Sequence, residues 1–256
     1  MKIKEIKVDN LKVEVFGDRE EMGRAAASDA AACIRELLAR KDEINMVFAA
    51  APSQNEFLAA LAAEPGIEWK RVHAFHMDEY VGLPADAPQG FGNFLRAAIF
   101  DKVPFGSVEY IGTGSDVEET ISRYSGILAG IKVDIVCMGI GENGHIAFND
   151  PHVADFNDPL LVKKVDLDEK CRMQQVHDGC FASIDEVPRY AVTLTVPALA
   201  GADHLFCMVP AATKAEAVKA TVFGPVSEAC PATIMRRHKS AVLYTDPDSG
   251  KCLIDK

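Results

Sequence analysis

The sequence contains no apolar run of 18 residues, so nothing in it reads as a membrane-spanning helix. It is short of basic residues: 27 Lys and Arg stand against 38 Asp and Glu, a formal net charge of −11. That deficit opposes a nucleic-acid or anionic-membrane partner, and an anionic ligand must find a local basic pocket against the overall field. The seven cysteines form no C-x-x-C pair, and their odd, scattered placement predicts free thiols in a reducing cytoplasm. The first residues, Met1-Lys-Ile-Lys-Glu-Ile-Lys7, are too short and charged for a signal peptide. There is no internal repeat and no linker, which points to one domain over residues 1–256. Apolar residues make up 48% of the chain, enough to bury a large core and too many for a disordered segment.

The hydrophobic pattern alternates between strand and helix. Leu11–Phe16 reads as a strand, and Asp18 as the N-cap of a helix over Arg19–Arg40. Ile44–Ala50 is a continuous apolar strand, followed by a helix from Ser53 to Ala63 and a strand from Trp69 to His76. Helices are predicted over 91–100, 116–129 and 213–221, and further strands at 108–111, 133–138, 190–195, 205–209 and 241–244. Residues 151–187 read as irregular and polar, and 152–187 is expected to act as a mobile lid, since loops of that length are functional or disordered. Alternating strands and crossover helices imply an α/β fold with a mostly parallel sheet covered on both faces.

Two runs carry chemistry. Gly139-Ile-Gly-Glu-Asn-Gly-His-Ile-Ala-Phe-Asn-Asp150 follows the buried strand Ile135–Met138. A strand that ends in a glycine turn bearing His145 and Asp150 is where α/β proteins place active sites. Gly139-x-Gly141-x-x-Gly144 matches a dinucleotide fingerprint in form only, because Pro151 arrives too soon for the helix that the fingerprint needs. The second run, Phe75-His-Met-Asp-Glu-Tyr-Val-Gly-Leu83, puts two carboxylates, Asp78 and Glu79, at a strand end among apolar neighbours. Most Asp-Glu pairs are solvated loop acids. The apolar flanks here favour burial, and a buried carboxylate in a cleft is a candidate base. His73 and His76 are three apart on a strand, point to opposite faces and make a poor metal pair, so no metal site is expected.

Together the two runs resemble the glucosamine-6-phosphate deaminase/isomerase family, whose signatures read close to N-M-D-E-Y-V-G-L and G-x-G-x-D-G-H-I-A-F-N-E-P. The resemblance spans about Lys12 to Thr245 and includes Val187-Pro-Arg-Tyr-Ala-Val-Thr-Leu-Thr195. It implies a three-layer Rossmann-like fold and no cofactor. The activity it implies is deamination with aldose–ketose isomerisation of a hexosamine 6-phosphate, formally hydrolysis at an amino-sugar, cyclic amidine-type C–N bond. By the same resemblance Asp78 is the base at C2 and His145 the ring-opening acid/base. Asp150 orients the histidine, and Arg172 and Lys214 close on phosphate and sugar. The family's T-G-[SGN]-[TS] phosphate loop corresponds to Ala50, Ala51 and Ser53, where a strand runs into a helix N-terminus, a ready anion site. Two departures stand out: Asn143 replaces an Asp and Asp150 replaces a Glu. A carboxamide hydrogen-bonds but brings no charge to the histidine, and Asp150 is one methylene shorter.

The related 6-phosphogluconolactonases usually carry Arg where this chain has Tyr80, which disfavours a lactonase. A non-catalytic sugar-phosphate sensor of the same fold has no use for Asp78. The expected partner is a small sugar phosphate. Which hexosamine it is, and whether copies of the chain form a homo-oligomer, are left open.

Overall fold

The computed structural model describes residues 1–112 and 116–254. The chain opens with an antiparallel hairpin of β1 (Lys2–Val8) and β2 (Leu11–Phe16), then enters α1 (Arg19–Leu38), whose N-cap Asp18 accepts the Glu21 N–H at 2.7 Å. Next come β3 (Ile44–Phe48), α2 (Asn55–Ala63), β4 (Val72–His76), β5 (Asp78–Tyr80) and α3 (Phe91–Leu95), which runs on into a π-helical turn, Arg96–Phe100. The middle holds β6 (Ser107–Glu109), α4 (Val117–Ala129), β7 (Ile135–Met138), β8 (Val162–Asp166) and α5 (Glu169–His177). The last part holds β9 (Tyr190–Leu194), α6 (Val196–Ala200), β10 (His204–Val209), α7 (Ala215–Phe223), β11 (Ala241–Thr245) and α8 (Lys251–Ile254).

Eight strands form the main sheet in the order β1-β2-β11-β10-β7-β3-β4-β6, parallel everywhere except at the β1–β2 hairpin. Alternate residues of the central strands feed opposite cores. Ile135 and Cys137 of β7 join a cluster with Met22, Ala26 and Ile34 of α1 and Phe57 and Leu58 of α2. Val136 and Met138 join the other, with Tyr124 of α4, Leu199 of α6 and Val218 of α7. Period-two burial on both faces is what a parallel sheet between two helical layers requires. This is the three-layer α/β architecture expected.

Three expectations need correction. β1 was not predicted: its Lys and Glu residues leave it largely exposed, and pairing with β2, not a buried face, holds it. The strand predicted from Trp69 begins at Val72, because Trp69–Arg71 is a 3₁₀ turn. The segment 151–187 is not irregular. It supplies β8, α5 and a 3₁₀ turn at Ile184–Glu186, and β8 pairs antiparallel with β9, which pairs with β5, in a second sheet of order β5-β9-β8. Val162, Val165, Leu167, Cys171, Phe181 and Val187 of that segment are buried. They come from different elements, so they show no single period along the chain.

Candidate active site

A cleft of about 480 Å³ opens at the C-terminal ends of β3, β4, β7 and β10. It lies where the strand order turns outward from β7, the crevice in which open α/β sheets bind ligands. Of the expected residues, Ala50, Ala51, Ser53, Asp78, His145 and Lys214 line it.

The turn after β7 is shaped around the His145 ring. A Cβ on Gly141 would lie 2.0 Å from the imidazole, so only glycine fits beneath it, and Gly144 sits at φ +87°. No helix follows the turn before α5, consistent with rejecting the dinucleotide reading. His145 Nδ1 lies 2.7 Å from Asn143 Oδ1 and 3.0 Å from Asp150 Oδ1. Two acceptors at Nδ1 put the proton there, which leaves the Nε2 lone pair as the ring's basic atom. The shorter Asp150 therefore reaches the histidine. Asp150 also accepts from Asn143 Nδ2 at 2.8 Å and from the Asp168 N–H at 3.2 Å. Burial pushes its carboxyl up, but the His145 hydrogen bond and charge, with these other donors, bring it below the ordinary value.

Asp78 is held by its backbone. β5 pairs with β9 in the register Asp78↔Thr193. Behind it, fully buried His76 accepts the Ile111 N–H at Nε2 (2.9 Å), so its Nδ1–H donates to the Asp78 carbonyl at 2.8 Å. Burial drives His76 down to about 4, and it stays a neutral strut. The Tyr124 hydroxyl bridges to the His76 backbone, donating to its carbonyl at 2.9 Å. No sequence signal marked these roles of His76 and Tyr124, since Ile111 and Tyr124 are distant from His76 in the chain. The Asp78 carboxylate itself, 6% exposed, has no donor among the described residues. Burial first, and the charge of Glu79 second, raise its pKa well above the usual range. Glu79 turns away: its carboxylate accepts the N–H groups of Tyr80, Phe91 and Gly92 at 2.9–3.0 Å and anchors the start of α3. Tyr80 lies inside a ring of Phe91, Phe148 and Phe181.

Lys214 follows β10 and is 4% exposed. Its ammonium makes no ion pair among the described residues, and burial lowers its pKa against the pull of Asp178 and Glu142. Just before it, Ala211 is held at φ +84°, a region that L-residues avoid, by an N–H bond to Asp246 Oδ2 at 2.9 Å. Opposite, the Ser53 hydroxyl accepts from Gln54 Nε2 at 3.1 Å, which frees its own hydrogen to donate. Gln54 Nε2 also reaches the Met208 carbonyl at 3.2 Å, while Gln54 Oε1 is buried without a partner. Gln54, Gln174 and Gln175 line the cleft and were not foreseen.

Arg172 is the expectation that the geometry does not meet. It does not line the cleft; its guanidinium donates to the Ile184 carbonyl at 2.5 Å and the Val187 carbonyl at 3.0 Å. Arg172 adds donors to these carbonyls, of which that of Ile184 also accepts the Val187 N–H at 3.2 Å, while Gln174 and Gln175 line the cleft instead. Two trios with metal-ligand chemistry lie close together, His145–Asp150–Cys171 and Asp150–His152–Asp168. In the first, the histidine proton already occupies Asp150. In the second, the Asn143 amide points its N–H groups at both carboxylates, the opposite of what a cation would meet. Neither carries a metal reading.

Comparison with known proteins places the chain in a family. A sequence model of glucosamine-6-phosphate isomerases/6-phosphogluconolactonase matches residues 17–244. Glucosamine-6-phosphate deaminases of Bacillus thuringiensis (strain Al Hakam) and Bacillus cereus (strain AH820) are each 37% identical over 185 residues, 72% of this chain and 68% of theirs. Among solved structures, a monomeric glucosamine-6-phosphate deaminase of the NagB superfamily superposes with a TM-score of 0.84 at 24% identity, over 93% of this chain and 98% of that one. The 6-phosphogluconolactonase of Trypanosoma brucei gives 0.79 at 16% identity, over 98% and 100%. These structural likenesses speak for the fold. The chain belongs to the glucosamine-6-phosphate isomerase/6-phosphogluconolactonase family.

Proposed function

We propose that the chain converts a 2-amino-2-deoxyhexose 6-phosphate, with glucosamine 6-phosphate as first choice, into the ketose phosphate and ammonia. One observation carries the reading: a single cleft brings together a histidine of fixed tautomer, a buried carboxylate and a buried ammonium, the last two with no donor and no counter-ion among the described residues. Each lacks what such a substrate brings. In this scheme His145 Nε2 takes the proton of the anomeric hydroxyl and returns it to the ring oxygen as the pyranose opens. Asp78 removes the C2 proton to give an enolamine and delivers a proton to C1. The C2 imine that results adds water and loses ammonia, so the net reaction is hydrolysis of a C–N bond. The electron pairs stay within the sugar, and no redox cofactor is called for. Lys214 and Ser53 hold the phosphate, with the amides at the start of α2. Met77, Phe91 and Phe148 limit water around the intermediate.

On this reading residues 152–187 act as a cover, since α5 brings Gln174 and Gln175 to the cleft. Hydrogen exchange in this segment then slows when a substrate analogue binds. A phosphorylated substrate fits the cytoplasm. The test is a panel of glucosamine 6-phosphate, galactosamine 6-phosphate and 6-phosphogluconolactone given to the purified protein. The expected outcome is ammonia in step with ketose phosphate from a hexosamine phosphate. Lactone hydrolysis without ammonia, or binding without turnover, would overturn the proposal in favour of a lactonase or a sensor.

A further inference from the structure

Asp168 stands outside the cleft, yet it ties three parts of the site together. As the N-cap of α5 its Oδ1 accepts the Cys171 N–H at 2.6 Å. Its Oδ2 accepts from Asn143 Nδ2 at 3.0 Å. Its backbone N–H donates to Asp150 Oδ2. Both N–H bonds of the Asn143 amide are thus spent on carboxylates, one on Asp150 and one on Asp168. This decides which way the amide faces. Flipped, its oxygen would meet two carboxylates and its NH₂ would meet the N–H groups of His145. In the observed orientation Asn143 Oδ1 accepts the His145 backbone N–H at 3.0 Å and lies 2.7 Å from Nδ1.

We infer that Asp168 is a positioning residue for His145, acting through Asn143, and that the amide at 143 and the carboxylate at 168 form a matched pair. A carboxylate at 143 would remove both amide N–H bonds that join Asp150 and Asp168 to this position and set three acids side by side, and like charges so close cannot all ionise. The pair locks the Nδ1–H tautomer and fastens α5, whose Gln174 and Gln175 line the cleft, to the glycine turn. The inference rests on the proposed role of His145 only where turnover is the readout.

The test uses the full chain with Asp168→Ser, Asp168→Asn, Asn143→Asp and the double variant Asn143→Asp/Asp168→Asn. Serine keeps the cap but cannot reach Asn143. Asp168→Ser should lower kcat about 10-fold with KM within about 2-fold, the mark of lost alignment and not lost binding. Asn143→Asp should lose about 100-fold and show an altered pH–rate profile. That profile is read against the other groups near the ring: Asp150, Asp168, Cys171, His152 and Glu142, with Asp78 and Lys214 across the cleft. In the double variant the amide at position 168 keeps the cap through its oxygen and donates to the carboxylate at position 143. The double variant should therefore be about 10-fold better than Asn143→Asp alone. Independent of any substrate, ¹⁵N spectra of the ligand-free protein should show one Nδ1–H tautomer for His145 in the native chain and a mixture in Asp168→Ser. If no panel sugar is turned over, the spectra still decide the inference. A single tautomer in Asp168→Ser, or single-variant losses that simply multiply in the double variant, overturns it. If the serine variant fails to fold, the Asp168→Asn spectrum is read the same way.

Discussion

On one wall of the cleft, His145 is surrounded by fixed partners: Asn143 and Asp150 on its own turn, with Asp168 and Cys171 behind them. On the other, Asp78 and Lys214 line the cleft, the Asp78 carboxylate with no donor and the Lys214 ammonium with no ion pair among the described residues. The first wall spends its hydrogen bonds on setting a tautomer before any ligand arrives. The second keeps two desolvated charges unpaired, which costs stability unless a substrate pairs them. The difference separates residues that prepare a catalyst from residues that wait for a reactant, and it can be broken by mutation on each side.

The largest effect is expected at Asp78. Asp78→Asn should lower the deamination rate by about 10²–10⁴ while leaving analogue binding nearly intact. The same change should raise Tm at pH 8. The folded pKa of Asp78 lies well above its ordinary 3.8. Between those values the native state holds a proton that the unfolded chain has released, so stability falls as pH rises through that window. Above it the buried anion is a standing cost that the amide removes. A lower Tm for the variant would show that the carboxylate is paired after all.

Lys214→Met should raise KM for phosphorylated sugars by about 10–100-fold, since a desolvated charge-assisted contact is worth about 1.5–3 kcal/mol. Its effect on kcat should be smaller. An unchanged KM would move the phosphate to another part of the cleft.

The native pH profile gives a smaller, sharper reading. Asp78 must be ionised to act as a base, so kcat/KM should fall on the acid side with a midpoint above the ordinary carboxylate range. A profile flat down to pH 4 would remove Asp78 from the rate-limiting step. The smallest kinetic effect is expected at Arg172. Because it serves the carbonyls of Ile184 and Val187, Arg172→Ala should lower Tm and leave KM within about 2-fold. A large rise in KM would mean that α5 turns and brings Arg172 to the phosphate.

The two walls also differ in how well the chain announces them. The strand positions follow from short apolar runs, and the glycine turn and the Asp78 strand end are local, so their sequence runs carry them. Asn143, Asp150 and His145 lie within eight residues of one another, and their meeting is a property of one turn. The rest depends on contacts between distant parts of the chain. Asp168 falls in the segment read as irregular, where nothing marks it, and His76 reads as half of a poor metal pair. Lys214 is legible only through the family resemblance. Arg172 likewise came from the resemblance alone, and in the structure its side chain turns to backbone carbonyls. β8 and α5 were missed because antiparallel pairing with β9, and not a local period, defines that segment.

The central claim is that Asp78 moves the proton between C2 and C1. Running the reaction in H₂O on glucosamine 6-phosphate carrying deuterium at C2, and reading deuterium at C1 of the ketose product by NMR, tests it most directly. The native chain should place deuterium at C1 in step with ammonia release, and Asp78→Asn should lose that transfer by about 10²–10⁴. Deuterium appearing at C1 in the variant at close to the native rate would contradict the account.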